Sequence, residues 1–230
     1  MRYALYFTPP ADDPLTKAAA AWLGRDPFSG KTRPQAEVSE FSPDALTALT
    51  ADPRRYGFHA TLKAPFRLAP GTDEAALEAV FSAFCAETPA LEIPNVVIEQ
   101  IGPFFALVPD RIYPALQDFA AAVVETFEPF RAELTEADIA RRRPERMSDS
   151  QRANLSRWGY HHVMDDFRFH MTLTGPVEPE SAPDMRTLLA ARFADFVRRP
   201  LAVTGLALYV EATAGAPFTV HSWLPLTGAR

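Results

Sequence analysis

Residues 57–63 read Gly57-Phe58-His59-Ala60-Thr61-Leu62-Lys63, and residues 167–174 read Phe167-Arg168-Phe169-His170-Met171-Thr172-Leu173-Thr174. Both stretches hold the string Phe-His-x-Thr-Leu. In an extended strand successive side chains point to opposite faces. A strand over 56–66 therefore puts His59, Thr61 and Lys63 on one face and Phe58, Ala60 and Leu62 on the other. A strand over 166–174 puts Arg168, His170, Thr172 and Thr174 together. Each copy offers an imidazole, a hydroxyl and a cation in a row, backed by an apolar face.

The segments after each motif repeat as well. After the first comes a helix over 72–87, with Leu77, Val80, Phe81 and Phe84 at helical spacing, then strands over 91–100 and 104–108. After the second comes a helix over 183–197, then strands over 201–210 and 217–226. A distance of 111 residues separates His59 from His170, and 114 separates Phe104 from Phe218. Two anchors with nearly one offset indicate a duplication. Outside the repeat, 3–8 reads as a strand stopped by Pro9-Pro10 and 13–23 as a helix. Residues 24–53 read as loop with a short helix near 44–49, and 112–127 as a helix. The arginine-rich stretch 128–158, densest at Arg141-Arg142-Arg143, reads as a solvated helical connection because acidic residues interleave it.

If two such strands meet about a pseudo-twofold, two imidazoles, two hydroxyls and two cations converge, and a phosphate diester suits that set. One neutral imidazole takes a proton from water while the other, protonated, gives one to the departing oxygen. Thr61, Thr172, Lys63 and Arg168 then hold the phosphoryl oxygens. Tyr6 and Trp158 are candidates to stack on a base or sugar. His161 and His162, being adjacent, cannot share a strand face and read as loop or structural residues. His221 reads as a core or rim residue. No zinc-type ligand spacing, Gly-rich phosphate loop, nucleophile elbow or dinucleotide fingerprint is apparent, so neither metal nor cofactor is expected.

The paired His-x-Thr strands resemble the 2H phosphoesterase superfamily, whose relatives include cyclic phosphodiesterases and bacterial RNA ligase-like proteins. The stretches 55–66 and 167–175, with Arg2-Tyr3-Ala4-Leu5-Tyr6-Phe7 and Trp158-Gly159-Tyr160, resemble a branch found among bacterial genes for phosphonate breakdown. The resemblance implies an α+β fold of two pseudo-symmetric lobes, each an antiparallel sheet with helices outside, and both histidines in the central cleft. The lobes are expected at about 1–110 and 161–230, joined by a helical connection at about 111–160. The expected activity is metal-independent hydrolysis of a small cyclic phosphodiester. RNA end-processing, 2′,5′ ligase-like activity, or non-catalytic binding of a nucleotide or RNA end are the alternatives.

The 230 residues carry a formal charge of −6, which argues against a general affinity for duplex DNA. Lone Cys85, in an apolar run, reads as a buried structural thiol. Without a disulfide framework a reducing cytoplasm is the expected compartment. The first ten residues are too short and aromatic for a signal peptide, and no apolar run reaches the roughly 18 residues a membrane span needs. The sequence leaves the oligomeric state open.

Overall fold

The computed structural model describes residues 1–229. Strand β1 (Arg2–Phe7) is apolar on both faces, with Tyr3, Leu5 and Phe7 on one and Ala4 and Tyr6 on the other, all buried. Such a strand belongs in the middle of a sheet. Asp13 caps helix α1 (Pro14–Leu23) by accepting the Leu15 N–H, and Pro14 supplies the preset φ of a first turn. Helices α2 (Pro43–Leu49) and α3 (Ala51–Tyr56) follow. The strand expected over 56–66 starts later, as β2 (Ala60–Phe66), because Tyr56 is still helical and Gly57 turns the chain at φ 77°. A side chain there would be strained, and its Cβ would meet Pro27 at 2.6 Å.

Helix α4 (Glu74–Glu87) is capped by Asp73. The expected strand over 91–100 is interrupted beside Pro94 into β3 (Leu91–Ile93) and β4 (Val96–Ile101). Next come β5 (Phe104–Pro109), α5 (Pro114–Phe127), α6 (Glu136–Arg141) and α7 (Asp149–Trp158). The second motif strand is reduced to β6 (Met171–Thr172). Beyond it, the N–H groups of Leu173 and Thr174 both turn to the Phe105 carbonyl, which breaks the ladder. The chain ends with α8 (Ala182–Arg192), β7 (Leu201–Val203), β8 (Gly205–Glu211) and β9 (Thr219–Pro225).

The fold is α+β. Seven strands form an antiparallel sheet in the order β4-β5-β6-β2-β1-β8-β9, and β3 pairs with β7 separately. The halves of the large sheet meet where Ala60 of β2 partners Met171 of β6. The copies exchange strands across this seam. First-copy β5, with β4 on its far side, pairs with second-copy β6, whereas second-copy β8 and β9 join β1 and β2. The sheet halves therefore do not follow the sequence divisions near 110 and 160. One face, carrying Leu5, Ala60, Leu62, Leu107, Met171 and Leu208, is packed into the main core with Leu116, Phe119 and Val123 of α5. The opposite face carries a smaller cluster around Tyr6, Tyr209 and Phe218 and opens into a cleft.

Candidate active site

Ala60 and Met171 are opposite one another and wholly buried on the core face. Extending that register by one residue each way sets His59 opposite Thr172 and Thr61 opposite His170, all four on the cleft face. Directly opposed residues in an antiparallel pair have Cβ atoms about 4.5–5.5 Å apart. The seam is thus a compact square of two imidazoles on one diagonal and two hydroxyls on the other. All four residues line one cavity of about 510 Å³.

Both rings are oriented alike. His59 Nδ1 donates to the Gly57 carbonyl at 2.9 Å, and His170 Nδ1 donates to the Arg168 carbonyl at 2.8 Å. A carbonyl only accepts, so each Nδ1 carries the proton and each Nε2 is left for chemistry. At His59 the Thr61 hydroxyl donates to Nε2 at 3.2 Å. Tyr6 stacks on the His59 ring with centroids 4.0 Å apart, whereas Phe104 lies beside His170 at 5.9 Å. Burial pushes the His59 imidazolium down to about 4; the Gly57 bond opposes this and nearby His170 adds to it. Burial also lowers His170, against its Arg168 bond. Both rings are therefore predominantly neutral near pH 7.

Neither of the two cations expected on the histidine face lines the cavity. Against β1, Thr61 partners Tyr6 but the next pair is Lys63 with Leu5, so Leu62 is an extra residue. This β-bulge reverses the alternation. Lys63 follows Leu5 to the core face, 2% exposed, where its Nζ donates to Glu128 at 2.7 Å and to the Val124 carbonyl at 3.1 Å. Ala64 lines the cleft instead. Arg168 is exposed and does not line the cavity, although burial alternates back through Phe169 and Phe167, which are in the core, so that it stays on the side of His170. Trp158 is also outside, at the end of α7 beneath the Arg157 guanidinium at 4.4 Å. Of the eight residues expected, His59, His170, Thr61, Thr172 and Tyr6 come together, and Lys63, Arg168 and Trp158 do not.

Among the residues that strand reasoning passed over, Arg2, Asp52, Tyr56, Arg142 and Tyr160 also line the cleft. Alternation along β1 carries the signal for Arg2, which shares a face with Tyr6. Glu211, 1% exposed, accepts from Arg2 Nη2 at 2.9 Å and from Arg55 at 2.6 Å, holding both at the rim. His161 and His162 lie in the turn after α7, and His221 meets Glu78 at 2.7 Å. Cys85 is buried, its thiol pushed up to about 12. A cavity of about 630 Å³ beside Arg131 and Leu155 holds neither motif histidine. No helix among the described residues is long and apolar enough to cross a membrane.

Fold and site define a duplicated α+β protein with a His-x-Thr strand from each copy at one cleft. Residues 61–219 match a family model described as "Protein of unknown function (DUF1045)", and the chain belongs to that family. A relative from Janthinobacterium sp. (strain Marseille), named "Ribose 1,5-bisphosphate phosphokinase PhnN", is 39% identical over 231 residues, 99% of this chain and 51% of its own. Another of the same name, from Laribacter hongkongensis (strain HLHK9), is 32% identical over 239 residues, 100% and 53% respectively. The chain thus spans about half the length of these curated relatives. Among solved structures, E. coli LigT complexed with 3′-AMP is 14% identical with a TM-score of 0.48, covering 98% of each chain. TT0787 of Thermus thermophilus is 14% identical with a TM-score of 0.48, covering 100% of each. These two likenesses are distant, and the fold assignment rests on the strand order given above.

Proposed function

We propose that the chain hydrolyses a small cyclic phosphodiester, in phosphonate metabolism, by acid–base catalysis between His59 and His170. The observation that carries this reading is the matched pair of Nδ1–carbonyl bonds, which frees both Nε2 atoms at one seam. His59, the ring buried against Tyr6, is the base: its Nε2 takes a proton from water as the water oxygen bonds to phosphorus. His170, charged as the anionic substrate arrives, donates its Nε2 proton to the ester oxygen as the P–O bond breaks. The Thr61 hydroxyl, relieved of Nε2 by that water, turns to a phosphoryl oxygen with Thr172. Exchange with solvent then moves a proton off His59 and onto His170.

Among the described residues no group of three or more His, Cys, Asp or Glu side chains that could hold a metal ion is found. The relatives' kinase name belongs to proteins about twice as long. Here Gly30-Lys31-Thr32, which ends like a phosphate-binding loop, closes a hairpin bridged from Arg25 to Thr32, and the next helix after Thr32 starts only at Pro43. A phosphate cradle of that type needs a helix N-terminus.

The test is turnover of a 2′,3′-cyclic nucleotide with and without chelator. Hydrolysis insensitive to chelation is expected. Activity abolished by chelator and restored by zinc would refute the metal-free mechanism. Reaction with RNA ends alone would give an end-processing enzyme, and binding without turnover a non-catalytic module.

A further inference from the structure

Past Arg2 and Arg142 the cleft continues into an adjoining cavity of about 590 Å³, and Tyr56 and Pro65 line both spaces. The second cavity is basic although the chain is acidic overall. Its walls carry five arginines against two carboxylates, and the pairing of those charges is uneven. Glu211 takes Arg2 and Arg55, and Asp138 takes Arg67 and Arg141. Arg142 has no ion-pair partner among the described residues. Its guanidinium lies 5.2 Å from the Tyr160 ring, at the junction of the two spaces. Burial, above all, pushes it below its ordinary range; Tyr160 and Asp138 oppose this, and Arg2 and Arg141 add to it.

A largely buried cation without a counter-ion is costly, and so is a like charge beside it. Both costs are relieved by an anion seated between Arg142 and Arg2, and guanidinium forks match the oxygens of a phosphate. The excess positive charge suits a dianion better than a single carboxylate. Such an anion would lie in the neighbouring space while a phosphoryl group occupies the histidine seam.

We infer that the cavity at Arg142 is a second phosphate subsite, so that the substrate is a phosphodiester bearing a separate phosphomonoester on the same small molecule. This rests on the proposed reading of the His59–His170 seam as the place of the scissile group. The arginine cluster at 141–143 then has a divided role. Arg141 pairs with Asp138 within α6, which Arg67 ties down through the same carboxylate, and Arg142 faces the ligand.

Binding tests this without needing turnover. Calorimetry with adenosine 3′-monophosphate and adenosine 3′,5′-bisphosphate should show the bisphosphate binding about 10- to 100-fold more tightly, as one added charge-assisted site provides. Arg142→Gln should remove most of that advantage, Arg142→Lys should keep part of it, and added salt should shrink it. Melting curves of both variants identify any loss of fold, and Arg142→Lys carries the test if the glutamine variant does not fold. No preference for the bisphosphate in the unmodified protein, or no binding of either compound, overturns the subsite. Equal loss of both ligands in a folded Arg142→Gln protein also overturns it. A preserved preference in a protein that hydrolyses no cyclic nucleotide leaves the subsite standing and removes only the hydrolytic reading.

Discussion

The two histidine strands carry one string of residues but differ in what surrounds it. At His59 the strand runs for seven residues, is bulged after Thr61, and lies beneath the Tyr6 ring. At His170 the strand is two residues long, with Phe104 at greater distance. Both keep the bond from Nδ1 to the carbonyl two residues back. What the copies share is the presentation of Nε2; what they have lost in common is the dressing around it. On the proposed mechanism identical motifs take unlike roles, the more desolvated ring as base and the other as acid.

The strongest way to break this comparison is to remove each ring in turn. His59→Ala and His170→Ala should each lower cyclic nucleotide turnover by roughly 10²- to 10⁴-fold while leaving melting nearly unchanged. Loss of activity at only one of them would end the paired mechanism. Next come the cations. Lys63→Ala leaves Glu128 in the core rim with Arg131 alone, and should cost about 3 kcal/mol in denaturant unfolding. Arg168→Ala should stay within about 0.5 kcal/mol and retain activity. Reversed results would restore the unbulged register.

A smaller effect sharpens the asymmetry of the hydroxyls. Thr61→Val removes the donor at His59 Nε2, and with it a phosphoryl contact, so turnover should fall about 2- to 10-fold. Smallest is the pH dependence of stability. Folded His59 holds out against protonation to about 4, whereas an unfolded histidine takes its proton near 6.5. Between those values the unfolded chain binds more protons, so this contribution is intact above about pH 6.5 and lost as pH falls toward 4. His59→Ala should flatten that slope, and Tyr6→Leu, which admits water to the ring, should move the imidazole upward in an NMR titration.

The histidines and threonines were legible because i, i+2 alternation survives a single short strand segment, and both motifs lie within one. Lys63 was not, since it lies beyond the bulge, and Arg168 keeps the expected side but is exposed and does not line the cavity. A bulge depends on the partner strand, which local sequence does not contain. Arg142 was hidden for a different reason. Acidic residues interleave 128–158, yet which of its unpaired arginines faces the cleft depends on how the connection packs in three dimensions. The helix over 51–56 also went unread, because Asp52-Pro53 is strong turn chemistry that here starts a helix.

The exchange of strands between the copies has a consequence for assembly. Arg2 and Glu211 are 209 positions apart, yet β1 and β8 are hydrogen-bonded neighbours. Loops of that length must close before the pairing that holds Tyr6 beneath His59 is secured, and proteins dominated by such distant contacts fold slowly. A growing chain would leave β1 exposed as an unsatisfied edge until synthesis has passed residue 211, a window in which chaperones and self-association compete. Severing the chain midway should leave neither fragment able to fold alone, while the two together could reconstitute the cleft. The duplication has yielded two halves that are interdependent from the first strand onward.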